Sequence, residues 1–552
     1  MIFIRTSVNS SNGIGHLMRM LHLAKEFSNQ GHVVSFLLDE HQLQVTKHIE
    51  DFNTFYLYSL SDISNFSETE DARRCLEILD TESVDHVIVD DYRLSRCWED
   101  IIVANGYKTA VFDDMCDRPH NCDLIIDPKW CGAQSTFKRY QDLVPSRCKR
   151  LLGPSFCILD AQYRSENVLS NPQQFNILFS IGGGGDLSLI SKLLENLIAL
   201  ADENDRSFCL LPVIGPLATN SQKIFEVAST DSRIQPVTNA TSLYSHYINT
   251  SLFIGALGTS LYELSALFIP ALTFSLSPNQ ENVISDLEDF GHYLHLSTHE
   301  EICPELLAPL IWILREQIHR VQKMRERSRI NIDGYGTERI VEALGGSCND
   351  EHKSNMFQTS NSGSRSLGLD YIKLTDDLSI RKVIDTDINH YLDSRNLEQN
   401  MTNMINASTI SRLEHYKWWF TSCNDRDSYV LEKNQVPQLF IWHQLLSYCD
   451  RSYWIGGWFV CTTECSFNIV VAALKWQLDF THSLNPDTTW IAVIKKTNNY
   501  VNLLNKYMGF ENVNGTSHEF HAIRQFFEFA STNEYNYVKF SPSTLKVTNN
   551  ED

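Results

Sequence analysis

A histidine set directly behind a glycine turn can take a proton from water beside a bound anion. This chain has that arrangement near its start, in Asn12-Gly13-Ile14-Gly15-His16. Before it, Ile2 to Val8 is apolar enough for a buried strand. After it, apolar residues from Leu17 to Phe27 recur at three and four, which predicts a helix ended by Gly31. Val33 to Leu38 follows as a second strand, so the unit is a parallel crossover. The glycines let backbone approach a ligand and leave helix N–H groups facing it. A positive helix end disfavours an imidazolium, so the ring of His16 is expected neutral and able to accept a proton. The same pattern also suits an ordinary surface histidine, and it falls short of the full dinucleotide fingerprint.

The elements that position such a group follow in order. Strands are expected at Val84–Val89, Thr109–Phe112 and Asp123–Asp127, the first two followed by Asp90-Asp91-Tyr92 and Asp113-Asp114. In an open parallel sheet ligands bind past the carboxyl ends of strands, so these residues are site candidates; capping the next turn is the alternative use. A second unit repeats the layout. A strand at Asn176–Ile181 leads into Gly182, Gly183, Gly184 and Gly185, then a helix from Asp186 to Ile198. Another strand leads into Gly255-Ala256-Leu257-Gly258-Thr259 and a helix carrying Glu263, an anion cradle with a carboxylate placed to accept from both ribose hydroxyls.

The chain has 552 residues, which suggests about three domains. Its net charge of −22 argues against nonspecific nucleic-acid binding. The 14 cysteines are scattered and form no CxxC pair, so no zinc site and a reducing, cytoplasmic location are expected. No signal peptide or membrane-length apolar run is seen. Leu306 to Arg329 is expected as one long amphipathic helix. Residues 346–367 are rich in Ser, Asn and Gly and form a linker. From 368 to 530 the pattern becomes α+β, with aromatic residues expected mainly in its core, and 541–552 is expected as a disordered tail.

Residues 1 to about 345 resemble the UDP-sugar hydrolases of pseudaminic acid biosynthesis, the PseG family. The resemblance rests on Arg5, Gly13-Ile14-Gly15-His16 and Arg19, then Asp90-Asp91-Tyr92, Asp113-Asp114, Gly153-Pro154, Gly255 to Thr259, Glu263 and Asn279-Gln280. The family's Asp two residues after the Arg is Ser7 here, its aliphatic residue before the glycines is Asn12, and its Arg after Gly-Pro is Asp160. The resemblance implies a glycosyltransferase-B architecture: two Rossmann-like domains, at 1–165 and 172–345. It implies hydrolysis of a UDP-2,4-diacetamido-2,4,6-trideoxyhexose without a metal. His16 would be the general base, with Asp91 and Tyr92 beside it. Arg5, Asn12, Gly13, Gly15, Arg19, Gly182, Gly183, Gly255, Leu257, Gly258, Thr259, Glu263, Asn279 and Gln280 would bind substrate. A glycosyltransferase of the same fold that passes the sugar to an acceptor is the alternative.

Residues 368–530 resemble an acetyltransferase of the GNAT superfamily, of the PseH-like aminosugar type. The matching residues are Arg395-Asn396, Glu414-His415 with Trp418-Trp419-Phe420, Trp458-Phe459-Val460 and Gly509-Phe510. This resemblance implies acetyl-CoA as cofactor and a UDP-4-amino sugar as acceptor. The superfamily's pyrophosphate loop is replaced by Thr462-Thr463-Glu464-Cys465-Ser466, so a non-catalytic scaffold is the alternative.

Overall fold

The computed structural model describes residues 1–7, 15–40, 49–58, 66–164, 174–240, 242–276, 282–297, 302–345, 370–404, 407–528 and 530–541. They form two units, Met1–Ser362 and Gly363–Asp552.

The first unit opens with a seven-stranded parallel sheet: β1 (Ile2–Thr6), β2 (Val34–Leu38), β3 (Asn53–Tyr56), β4 (His86–Asp90), β5 (Thr109–Phe112), β6 (Leu124–Asp127) and β7 (Lys149–Leu152). Their order is β3-β2-β1-β4-β5-β6-β7, so the chain reverses direction across the sheet between β1 and β4. Most of these strands are buried on both faces, as apolar runs in a parallel sheet must be. Strand parity divides the two faces. Ile2, Ile4, Ile88 and Ala110 pack with helix α1 (Gly15–Asn29) through Leu17, Met20 and Ala24. Phe3, Val87, Val89 and Val111 pack on the opposite face with Ala72, Cys75 and Trp98.

A second parallel sheet follows, from β8 (Phe175–Ser180), β10 (Phe208–Ile214), β12 (Val237–Thr238), β13 (Leu252–Ala256), β14 (Ala271–Phe274) and β15 (His295–Leu296). Its order is β12-β10-β8-β13-β14-β15. The glycine run is not a plain loop into a helix. Gly184–Asp186 forms β9, paired with β11 (Leu217–Thr219), and the helix starts two residues later than expected, as Ser188–Leu200. The helix expected over 306–329 is two, Pro304–Glu316 and Ile318–Arg325. They meet at Gln317, whose φ of −103° and ψ of 18° lie outside the α-helical region.

The last helix of this unit, Gly336–Gly345, packs into the core of the first sheet, where Ile340, Val341 and Leu344 join Leu17 and Met20. Tyr262 and Trp130 add polar ties between the two sheets' domains: Tyr262 OH donates to the Pro128 carbonyl at 2.9 Å, and Trp130 Nε1 to Asp289 at 2.9 Å.

The second unit is one eight-stranded sheet: β16 (Ile372–Lys373), β17 (Leu378–Lys382), β18 (Asp427–Lys433), β19 (Val436–Tyr448), β20 (Arg451–Val460), β21 (Thr489–Lys495), β22 (Glu511–Asn512) and β23 (Tyr535–Phe540). Neighbours run antiparallel except β20 and β21, which the helix Phe467–Leu484 connects. Those two pair in parallel through Tyr453–Thr489 and Trp454–Trp490, and part beyond that point. The expected linker at 346–367, and all of the expected tail except Ser541, lie outside the described residues.

Candidate active site

His16 sits in the first turn of α1, 9% exposed. Its Nδ1 lies 2.7 Å from Oδ1 of Asp90, the last residue of β4. Arg19, one helical turn on, donates Nε to Asp90 Oδ2 at 2.6 Å and a second N–H to Oδ1. Burial alone would push the Asp90 carboxyl up; Arg19 and His16 overcome it and hold it down to about 2. Asp90 is therefore ionised, and Nδ1 must carry the proton that faces it. The 3.1 Å approach of Arg19 Nη2 to Nδ1 is then a contact, not a hydrogen bond. In this tautomer Nε2 carries a lone pair, and it has no partner among the described residues. Tyr92 stands edge-on to the imidazole, ring centres 4.7 Å apart, and donates its hydroxyl to Asp114 at 2.6 Å. The result is a ring fixed on one side by a carboxylate, with no described residue bonded to its other nitrogen, as a general base needs.

Asp91 and Arg5 are placed elsewhere. Arg5 has no exposed surface. It donates to Asp71 at 2.7 and 3.1 Å, to Asp39 at 2.6 Å and to the Thr6 carbonyl at 2.8 Å. Asp91 is held by Arg93 at 2.6 and 3.0 Å, with Arg5 at 3.9 Å. These groups form a buried ionic layer on the sheet face away from α1, and their geometry is not that of groups open to a ligand. The cause is strand parity. Arg5 follows Phe3 and Asp91 follows Val89 on that face, while Asp90 follows Ile88 on the face of α1. Asp90 is one of the strand-end candidates but has no expected role beside His16, and this two-residue alternation is the signal that separates it from Asp91.

In the second domain, Gly182 takes a positive φ of 91°. A Cβ on Gly255 would lie 1.8 Å from the Ser180 carbonyl oxygen, so this glycine serves strand packing. Gly258 has open space at its Cβ position, as a ligand-facing glycine needs, while Leu257 is buried in the domain core. Thr259 precedes the helix Ser260–Ala266, which carries Glu263. Tyr163 donates to one oxygen of Glu263 at 2.9 Å and Tyr247 to the other at 3.4 Å; burial pushes its carboxyl up, against these bonds. Gly15 begins α1 with nothing near its Cβ position. Asn12, Gly13, Asn279 and Gln280 lie outside the described residues.

In the second unit, Arg395 and Asn396 shape one loop: Arg395 donates to the Ser408 carbonyl at 2.5 Å, and Asn396 exchanges bonds with Ile410 at 2.9 and 3.1 Å. Glu414 closes a capping box with Ser411. His415 is buried, bonded through Nε2 to the Ile388 carbonyl at 2.8 Å, and burial pulls it down to about 4. These residues build the fold. Beyond the paired positions of β20 and β21, residues 462–466 hold no glycine and no cation, and Glu464 is exposed there, so this loop does not fit a diphosphate. Among the described residues no group of three or more His, Cys, Asp or Glu could hold a metal ion, and no helix is long and apolar enough to cross a membrane.

The first unit thus carries two doubly wound parallel sheets, and the second an α+β arrangement with one parallel pair in a mostly antiparallel sheet, the two layouts expected from the sequence. A scan of known protein families returns no match. The chain's N-terminal region resembles the PseG hydrolases. It is 26% identical over 183 residues to UDP-2,4-diacetamido-2,4,6-trideoxy-beta-L-altropyranose hydrolase of Campylobacter jejuni; the match covers 33% of this chain and 60% of that enzyme's length. Among solved structures, a UDP-GlcNAc 2-epimerase from Neisseria meningitidis bound to UDP-GlcNAc aligns at TM-score 0.43 and 12% identity, over 63% of this chain and 100% of its own. MurG of Acinetobacter baumannii aligns at 0.42 and 13%, over 62% and 99%. FdhC, described as a nucleotide-linked sugar GNAT, aligns at 0.25 and 12%, over 31% and 91%.

Proposed function

We propose that the first unit hydrolyses a UDP-2,4-diacetamido-2,4,6-trideoxyhexose to UDP and free sugar, the reaction named for its Campylobacter relative. The observation that carries this reading is the His16–Asp90 pair at 2.7 Å, with Nε2 left to accept a proton. Nε2 takes a proton from water as the water oxygen bonds to the anomeric carbon. The bond from that carbon to the β-phosphate oxygen breaks, and its electron pair leaves with UDP. Asp90 offsets the charge that appears on the imidazole. Backbone N–H groups around Gly183 and Gly258 meet the phosphate charge, and Glu263 turns from its tyrosines to the ribose hydroxyls. Tyr92 holds the ring edge-on.

UDP release from a panel of UDP-diacetamido and UDP-4-amino sugars tests the proposal. His16→Ala is expected to lower turnover about 10²–10⁴-fold; undiminished turnover removes the base. Release of sugar only onto an added acceptor would select glycosyl transfer instead.

A second reading concerns the other unit, where the parting of β20 and β21 favours acyl transfer from acetyl-CoA to a UDP-4-amino sugar. The loop at 462–466 opposes it. Titration with acetyl-CoA decides, because absence of binding leaves this unit a scaffold.

A further inference from the structure

We infer that a small inorganic anion binds at the N-terminal edge of the second sheet, paired with Arg325. This inference stands apart from the hydrolase reading.

Arg325 ends the helix Ile318–Arg325 and is 2% exposed. It donates to the Phe290 carbonyl at 3.2 Å and to Ser265 Oγ at 3.1 Å, and its Nε has no partner. No carboxylate among the described residues pairs with it. The contrast within this chain is plain. Arg5 faces three aspartates, and Arg19 is chelated by one and approached by a second. Burial acts on Arg325 unopposed and draws its guanidinium down to about 9. A buried cation without a counter-charge is strongly unfavourable.

The same side chain lines a cavity with Pro270, Ala271, Gly291 and His292, at the start of β14 and just before β15. Its space is about 190 Å³ with the open mouth included, and inside there is room for about one water-sized guest. That excludes a nucleotide or a sugar phosphate and suits a single halide-sized ion. Two further polar residues line it, Tyr293 and His292, and burial, Arg325 and His295 keep His292 neutral. His292 Nε2 is bonded to Thr273 Oγ1 at 2.7 Å, which in turn meets His295 at 2.8 Å, and His295 meets Ser275 at 3.1 Å. The residues around the cavity thus include a cation with an unpartnered N–H, a neutral imidazole and a tyrosine, and no carboxylate.

The full-length chain is melted in potassium chloride and in potassium gluconate at equal ionic strength, and crystals are soaked in bromide. Chloride is expected to raise the melting temperature by about 2–4 °C, and an anomalous bromide peak is expected beside Arg325. Arg325→Met is expected to remove the chloride effect. Should that variant fail to fold, Arg325→Lys and the bromide map still decide. Equal melting in both salts with no bromide peak overturns the inference and leaves a water on Nε.

Discussion

The carboxyl end of the seven-stranded sheet and the middle of the eight-stranded sheet each enclose a histidine, and the neighbours differ in kind. His16 is pinned by an ionised aspartate on one nitrogen, and its other nitrogen has no partner among the described residues. His443, in β19, has no hydrogen-bond partner on either nitrogen. It lies in an aromatic box, stacked on Tyr429 at 5.5 Å and edge-on to Trp454 at 5.5 Å, and burial holds it down to about 4. Burial is common to both rings, so burial does not make a base. What separates them is a fixed charge that chooses the tautomer and leaves the other lone pair free.

The sharpest way to break this comparison is Asp90→Asn. It keeps the shape and removes the charge, so kcat for UDP release should fall about 10²–10⁴-fold with KM little changed. Unchanged kcat would make Asp90 a packing residue like those around His443. Next is Arg5→Met, which leaves Asp71 buried without its cation while Asp39 keeps Arg93. Denaturant unfolding should show a loss of about 3–5 kcal/mol. A stable Arg5→Met with only a raised KM would return Arg5 to the substrate.

A third histidine sharpens the comparison through pH. His120 is buried between Glu99, at 2.7 Å, and Asp113, at 3.8 Å. Burial opposes its charge, but the nearby Asp113 carboxylate and the bonded Glu99 carboxylate lift it to about 9. With an unfolded value of about 6.5, its contribution is complete below pH 6.5 and is lost as pH rises through 9. Stability of the first unit should fall by up to about 3 kcal/mol across that window, and His120→Gln should flatten the fall. The smallest effect is expected from His443→Phe, a change within about 1 kcal/mol with UDP release untouched. A large loss there would show that the aromatic box needs an imidazole.

Much of this was legible in sequence. The glycine turn, the helix behind it and the parallel strands follow from local periodicity, and the structure forms each described one near its expected place. The choice between Asp90 and Asp91 needed the face of the sheet on which α1 lies, which is a tertiary fact. Arg5 reads as a ligand contact until helix Glu68–Leu79 brings Asp71 against it. The four glycines suggested a loop because β9 exists only through its pairing with β11, 33 residues on. The break at Gln317 had no proline or glycine beside it to announce it.

The helix Gly336–Gly345 closes the hydrophobic core that residue 2 begins. During synthesis, the first domain therefore waits for more than half of the polypeptide to emerge before its last apolar face is covered. A fragment cut after residue 165 would carry that face bare and should aggregate, unless residues 336–345 are supplied as a separate peptide.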